Sequence, residues 1–560
     1  MLTHGAKRQS RRVFFQLALP QANSHDYKKP LTNNMATIPR IPRMPKIPGI
    51  PLLDRERMSG VDTAWLRMEH PTNLMMIVGI MVFKEKVDFK KLEMTLEQRF
   101  LAFPRFKQKA VQDPTGAWWE DDKKFDIKNH IKKTKLPGKA GKKELQDYVS
   151  QMASESLDFT KPLWQFHLIE NYLGGTALLT RIHHCYADGI ALISVMLSMT
   201  GNSVESSLAR PAMKDKQAKG AKGRSSINGN DMDFWTSVTK PIASVWSGAM
   251  KLTRGLVEQG LEIAKDPASM REFATKGMEL ADELRKIAMM SADTTTRFKG
   301  TLGRHKRVAW CDPLPLAEVK VIGKALHCSI NDVLLATAAG ALRDYMQRNG
   351  DKADGVEFRA IVPVNLRPVE KAAELGNQFG LVFVDLPIGV EDPIERMLIV
   401  RERMAALKGS SQPIVAFVLL SAVGMGPKIL QDQISALLGR NATAVMTNVP
   451  GPQKPLYFAG REIDEFDFWV PQSGGIGMGL SILTYNGKVH FGLITDAGLV
   501  PDPENIIEKF GEEFERLVML TLMGPYGPEH ESDLEKTFGG GSGSNEASPK
   551  RTLKRLRKYK

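Results

Sequence analysis

The residues of this 560-residue chain best suited to chemistry are two adjacent histidines followed by an aspartate and a glycine: His183, His184, Asp188 and Gly189 in TRIHHCYADGIAL. The flanking TALLTRI and IALISVML are apolar, so the polar cluster falls where a strand runs into a helix. A neutral imidazole is the usual group for taking a proton from a hydroxyl near neutral pH, and a nearby carboxylate can fix its surroundings. The HxxxD spacing assigns the base to His184, while His183, one residue earlier on a strand, points to the other face. Gly189 allows a tight entry into the following helix without a side chain obstructing the site.

Other chemistries fit less well. Adjacent histidines seldom chelate one ion and no third ligand lies at a recognisable spacing, so no metal is expected. No GxSxG elbow occurs in the chain, which argues against a serine hydrolase. Glycine-rich SGGIGMG (Ser473 to Gly479) precedes a strand and has the wrong spacing for a dinucleotide fingerprint; it suits a close approach of backbone to a ligand or another strand.

The elements that must position these residues follow from periodicity. From Ser59 to Ser198 the chain reads as mixed α/β, with strand-like MMIVGIMVF, helix-like FKKLEMTLEQRFLAF and strand-like WQFHLIENYLGGTALLTRIHH. Low-complexity KDKQAKGAKGRSSINGND (Lys214 to Asp231) reads as a linker, followed by helical spacing of Ile242, Val245, Trp246, Ala249, Leu252 and Leu256 and a second helical stretch over Met270 to Met289. From Arg304 to about Met523 the mixed pattern returns, with a helix within HCSINDVLLATAAGALRDYMQ, strands RAIVPVNLR and LVFVDLPI, and a hairpin LSILTYNGKVHFGLI turning on Asn486-Gly487. The expected organisation is a basic proline-rich extension (1–57), a first α/β domain (58–200), a linker and helical connection (201–303), a second α/β domain (304–535) and a Gly/Ser spacer with a basic tail (536–560).

The formal charge of +14 sits at the two ends: Met1 to Arg57 holds eleven Lys/Arg against three Asp/Glu, and Pro549 to Lys560 seven against none. Basic tails on a near-neutral body point to an anionic lipid surface and away from nucleic acid. Proline at every third position in IPRIPRMPKIPGIP (Ile38 to Pro51) would place a cationic stripe beside an Ile/Met stripe on a polyproline II rod, a surface suited to a lipid interface or to docking on the protein's own body. No apolar run approaches the roughly 18 to 20 residues of a membrane span. SRRVFFQ is followed by too short an apolar stretch for an export signal, and Met35 is an alternative start. Three scattered cysteines, Cys185, Cys311 and Cys328, fit neither a disulfide framework nor a metal motif, which favours a reducing cytoplasmic setting.

At the histidine cluster the chain resembles the bacterial wax ester synthase/acyl-CoA:diacylglycerol acyltransferase family, within the chloramphenicol-acetyltransferase-like superfamily. SGVDTAWLRME, FDIKNHI, LDFTKPLW, HHCYADG, INDVLLA, PVNLR, GNQFG and TNVPGP occur in the family's order, and the resemblance covers roughly Ser59 to Glu529. HHxxxDG alone is shared with peptide-synthetase condensation domains; PLW (Pro162, Leu163, Trp164) and NDVLLA point to the wax ester branch, while the superfamily's DFGWG signature is absent. The resemblance implies two chloramphenicol-acetyltransferase-like domains, mixed sheets with flanking helices, around a central substrate tunnel. It also implies direct transfer from acyl-CoA, a substrate and not a resident cofactor, to an alcohol, with His184 as general base, His183 supportive, and Asp188 structural against an arginine, for which Arg105, Arg181 and Arg367 are candidates. Asn331 and Asp332 would approach from the second half, Asn331 holding the site or stabilising an oxyanion, unless they serve as the N-cap of the following helix.

The expected activity is therefore O-acyl transfer to diacylglycerol or a long-chain fatty alcohol by a cytoplasmic protein peripheral to a membrane or lipid inclusion. A carrier-dependent condensation-type acyltransferase and a non-catalytic lipid-droplet coat protein are the competing readings.

Overall fold

The computed structural model describes residues 55–114, 116–210, 282–283, 285–287, 289–367, 374–408, 410–472 and 474–523. The proline-rich rod, the Lys-rich linker, the helical stretch from Ile242, most of Met270 to Met289 and the basic tail lie outside the described residues.

Along the chain come α1 (Gly60–Met68), β1 (Met76–Phe83), β2 (Ile131–Thr134), β3 (Trp164–Ile169), β4 (Thr176–His183) and α2 (Gly189–Met199). The second half supplies β5 (Lys306–Trp310), β6 (Leu314–Pro315), α3 (Ile330–Arg348), β7 (Phe358–Asn365), β8 (Phe379–Leu386), α4 (Gln412–Met425) and β9 (Ala444–Pro450). It continues with β10 (Glu465–Trp469), β11 (Met478–Tyr485), β12 (Lys488–Asp496) and α5 (Pro503–Met523).

Two sheets organise the molecule. The first has five strands in the order β10-β1-β4-β3-β2, and the second has the order β6-β12-β11-β9-β7-β8 with β5 also on β12. Both mix parallel and antiparallel pairs, as β2/β3 and β9/β11 are parallel while β1/β4 and β11/β12 are antiparallel. β1 reads MIVGIMVF without alternation because every residue of it is buried, the signature of a central strand covered on both faces. The strand β10 belongs by sequence to the second half yet pairs with β1 of the first sheet, Phe468 opposite Gly79, so the halves are laced together.

Local chemistry explains the turns. Asn486 and Gly487 have φ of 48° and 71°, the left-handed pair that a two-residue hairpin needs, and they join β11 to β12 as the sequence suggests. The Gly474-Gly475 turn has positive φ at both residues, and a Cβ at Gly474 would lie 2.0 Å from the Ser435 carbonyl oxygen. Within SGGIGMG the glycine turn thus approaches a helix (Lys428–Asn441), while Gly479 packs against Ile494 of the neighbouring strand β12, where a Cβ would lie 2.9 Å from Ile494 Cγ2.

Candidate active site

β4 delivers the histidines to the end of the first sheet, and backbone bonds clamp them on both sides. The His183 amide donates to the Leu163 carbonyl (3.0 Å) and the His184 amide to the Met75 carbonyl (2.8 Å). The Pro162-Leu163-Trp164 segment is the clamp's outer wall. Leu163 N donates to the Tyr186 hydroxyl (3.1 Å), which donates to Gln108 O (2.6 Å), and Trp164 Nε1 donates to Phe106 O (2.7 Å). PLW therefore lies behind the loop and bonds to its backbone and to Tyr186, with no described contact to the His184 ring.

His184 is buried, and its ring lies flat on the Trp65 indole, centroids 4.1 Å apart, with Phe379 on another side at 5.8 Å. Its Nδ1 has no hydrogen-bond partner among the described residues. Burial disfavours the imidazolium and pushes the pKa down to about 4 against the partial counter-effect of Asp188, so the ring is neutral at physiological pH. His183 faces elsewhere. Its Nδ1 accepts from Cys185 N (3.1 Å), Nε2 lies 3.4 Å from Glu69 Oε2, and Phe159 meets the ring edge-on.

Asp188 does two jobs with two oxygens. Oδ1 caps α2 by accepting from Ala191 N (2.9 Å), and Oδ2 accepts from Arg367 (2.8 Å) and from Gln378 N (2.8 Å). Arg367, wholly buried, is thus the partner among the three candidates, and it also donates to the carbonyls of Gly376 (2.7 Å) and Glu374. Arg105 instead pairs with Glu56 and covers Trp119, while Arg181 is held by Gln165 and the Glu155 carbonyl. Gly376, with φ 104°, sits in backbone space closed to other residues and exchanges bonds with the Tyr186 carbonyl and the Asp188 amide. PVNLR and GNQFG of the second half are in this way fastened to the histidine loop of the first.

Three expectations need correction. Asp332 does not approach the histidines: its carboxylate accepts from Ser329 N (2.7 Å) in a capping box, and Ser329 is the N-cap of α3. Asn331 bonds to Asn448 of β9 and has no contact with His184 among those described. The turn at Gly189 does not itself require glycine, because a Cβ there would meet only Val449 Cγ2 at an ordinary 3.9 Å, but Gly189 lines the slit described below and a side chain would enter that space.

The sequence reading assigned no role to α1. Asp62, Trp65 and Glu69 recur at three and four residues, one helical face, and touch Asn377, His184 and His183 in turn. The amide of Asn377 donates to Asp62 Oδ1 (2.8 Å) and to the His184 carbonyl (2.9 Å), and burial pushes the Asp62 carboxyl up to about 6. The i, i+3, i+7 recurrence of Asp, Trp and Glu in SGVDTAWLRME was the available signal.

Two spaces flank the loop. A narrow apolar slit runs between Ile77 and Ile182 of the first sheet, Gly189 and Leu192 of α2, and Val449 and Leu483 of the second sheet. On the other side a cavity of about 720 Å³ is walled by Arg57, Arg67 and Lys428 and reaches Glu69 and Phe159, both of which face His183. No cluster of residues able to hold a metal ion occurs among the described residues.

The chain is similar to known proteins over most of its length. The profile described as the wax ester synthase/diacylglycerol acyltransferase catalytic domain matches residues 58–334, and that of the C-terminal domain of the same family matches residues 375–518. A probable diacylglycerol O-acyltransferase of Mycobacterium tuberculosis is 25% identical over 439 residues, 76% of this chain and 87% of the relative. The wax ester synthase/diacylglycerol acyltransferase of Marinobacter aquaeolei VT8 superposes with a TM-score of 0.56 at 19% identity, over 84% of this chain and all of that one. The first condensation domain of the calcium-dependent antibiotic synthetase superposes with 0.52 at 13% identity, over 84% of this chain and 97% of that domain, which shows a shared fold. With two matched domains that together span well over half of its length, and with the histidine loop braced across both sheets, the chain belongs to the wax ester synthase/diacylglycerol acyltransferase family.

Proposed function

We propose that the protein transfers a fatty acyl group from acyl-CoA to the hydroxyl of diacylglycerol or a long-chain alcohol, with His184 as the general base. The observation that carries this is the state of His184: neutral and stacked on Trp65, on a loop whose neighbours line an apolar slit at Gly189 and a cation-lined cavity at Glu69 and Phe159. The imidazole takes the proton of the acceptor hydroxyl as its oxygen bonds to the thioester carbonyl carbon. The tetrahedral adduct then collapses, the carbon–sulfur bond breaks, and the departing thiolate recovers the proton from the imidazolium, leaving ester, free CoA and a neutral ring. No covalent acyl-enzyme is needed. The slit suits an alkyl chain, and Arg57, Arg67 and Lys428 give the cavity the charge to receive the phosphates of CoA.

The lipid acceptor gives the basic ends a purpose: Lys/Arg-rich segments outside the described residues would hold the protein at an anionic membrane or lipid-inclusion surface. No single helix among the described residues is long and apolar enough to cross a bilayer, which is consistent with peripheral attachment.

The test is a purified-protein assay with labelled palmitoyl-CoA, offered hexadecanol and dioleoylglycerol in parallel, with His184→Ala beside the unaltered chain. Ester formation from free acyl-CoA that disappears in the variant is expected. A strict requirement for a carrier-bound acyl group would favour the condensation-type reading. No turnover with either donor would favour a lipid-surface protein without catalysis.

A further inference from the structure

The geometry points to Asn377 as the residue that positions the base, fixing the tautomer of His184 by accepting from its Nδ1–H, with Asp62 holding the amide in the orientation that makes this possible. This rests on the reading of His184 as the base. The argument begins with the amide. Nδ2 of Asn377 meets two groups, Asp62 Oδ1 at 2.8 Å and the His184 carbonyl oxygen at 2.9 Å. A backbone carbonyl can only accept and an ionised carboxylate can only accept, so the NH₂ end is assigned by its neighbours and the oxygen must face the other way. Asp62 Oδ1 also accepts from the Asn377 backbone amide (3.2 Å), so residue 377 is gripped at two points by one carboxylate oxygen.

Two atoms are then left over. Asn377 Oδ1 and His184 Nδ1 are both buried and both lack a hydrogen-bond partner among the described residues. One is an acceptor, and the other is a donor in one of the two neutral tautomers. The Asn377 side chain lies near enough to the imidazole to favour its protonated form, as an acceptor facing a ring N–H does. A bond between them would satisfy both, and leaving a buried donor and a buried acceptor unpaired in one site costs more than joining them. With the proton fixed on Nδ1, Nε2 is the bare nitrogen that takes the substrate proton. The charged and titratable groups around the ring are Asp62 and Glu69 from α1, Asp188 and His183 from its own loop, and Arg367 behind Asp188. None of them has a described hydrogen bond to a ring nitrogen of His184. Asp62 thus acts on the base only through Asn377, and α1, β4 and the GNQFG segment meet at that amide.

The experiment compares Asn377→Ala, His184→Ala, the two combined, and the exchange Asp62→Asn/Asn377→Asp, with kcat, KM and the pH profile measured on full-length protein of verified fold. Outer-shell partners of this kind typically alter activity by about 10- to 100-fold. Asn377→Ala is expected to lose kcat by about that factor with little change in KM and with the acid limb moved to lower pH. Adding it to His184→Ala should cost nothing further. The exchange puts a carboxylate beside the ring and a donor at position 62, so it should move the acid limb upward, while kcat stays below that of the unaltered chain because position 377 no longer donates to the His184 carbonyl. Unchanged kcat and profile in Asn377→Ala, or the same fractional loss in the His184→Ala background, would overturn the proposal. If Asn377→Ala does not fold, an exchange variant with no upward movement of the limb overturns it equally. Full activity of His184→Ala would instead refute the base assignment, which the comparison keeps distinct.

Discussion

The surroundings of His183 and of His184 differ, although the two residues are neighbours in the chain. His183 is bonded at Nδ1 to the Cys185 amide and lies with Nε2 3.4 Å from Glu69, which with Phe159 stands between it and the cation-lined cavity. His184 is held by flat stacking on Trp65 and by its backbone, with its ring chemistry left available. The difference teaches why the two rings suit different tasks in the proposed reaction: one is bonded into the loop, and the other is stacked and neutral. The alternation of a strand end, one face toward each side, is enough to separate the two roles.

The sharpest way to break that comparison is to remove each ring. General acid–base catalysis contributes about 10²- to 10⁴-fold, so His184→Ala should lose kcat/KM on that scale. His183→Ala should keep measurable turnover and lose stability, because it strands the buried Cys185 amide at a cost of about 1 to 3 kcal/mol. Steady-state kinetics beside thermal melting separates these outcomes, and equal activity of the chain and of folded His184→Ala would refute the assignment.

A second test sets the buried pair Asp188–Arg367 against a buried pair far from the chemistry, Arg396–Glu513 at 2.6 Å. Removing one partner of a buried pair typically costs about 3 to 5 kcal/mol. Asp188→Asn and Glu513→Gln should both lower the melting temperature, and only Asp188→Asn should also reduce turnover per folded molecule. Unchanged melting of Asp188→Asn with lost activity would mean that this carboxylate acts on His184 directly.

The pH dependence sharpens the comparison further. The unfolded His184 ring would take a proton near 6.5 but the folded one only near 4, so the stability its neutral form contributes is full above about 6.5 and is lost as the pH falls toward 4. Asp62 runs the other way: its carboxyl is raised from 3.8 to about 6, so the folded state takes up that proton first and stability falls as the pH rises through that window. The two trends oppose each other in the chain as it stands. Asp62→Asn removes one of them, so its melting temperature should fall more steeply between pH 6.5 and 4 than that of the unaltered protein. The acid limb of kcat/KM should sit near 4 and not near 6.5.

The smallest effect on turnover is expected from removing residues 1–51 and 549–560, since every site residue described above lies between positions 57 and 484. Flotation with anionic liposomes should nevertheless be lost, and that of the full chain should weaken with salt, because exposed charges are screened over about 8 Å at physiological ionic strength. Undiminished flotation of the trimmed protein would move attachment to the body, where Met425 and Ile429 are 72% and 67% exposed on either side of Lys428.

Much of this protein was determined by the sequence alone, because its signals are local. The run MIVGIMVF states a doubly covered strand, Asn486-Gly487 a hairpin, and HHxxxDG a polar loop at a strand end, each within a dozen residues. What the tertiary structure decided are the contacts between distant segments. Arg367 and not Arg105 or Arg181 answers Asp188, across 179 positions; Asn377 reaches Asp62 across 315; and Asp332 is drawn into its own helix cap. The side chains of Asp, Asn and Arg can satisfy their bonds locally or at long range with similar energies, so residue type and spacing leave the choice open. Burial then makes the choice, because a polar group enclosed between two sheets must find its partner there.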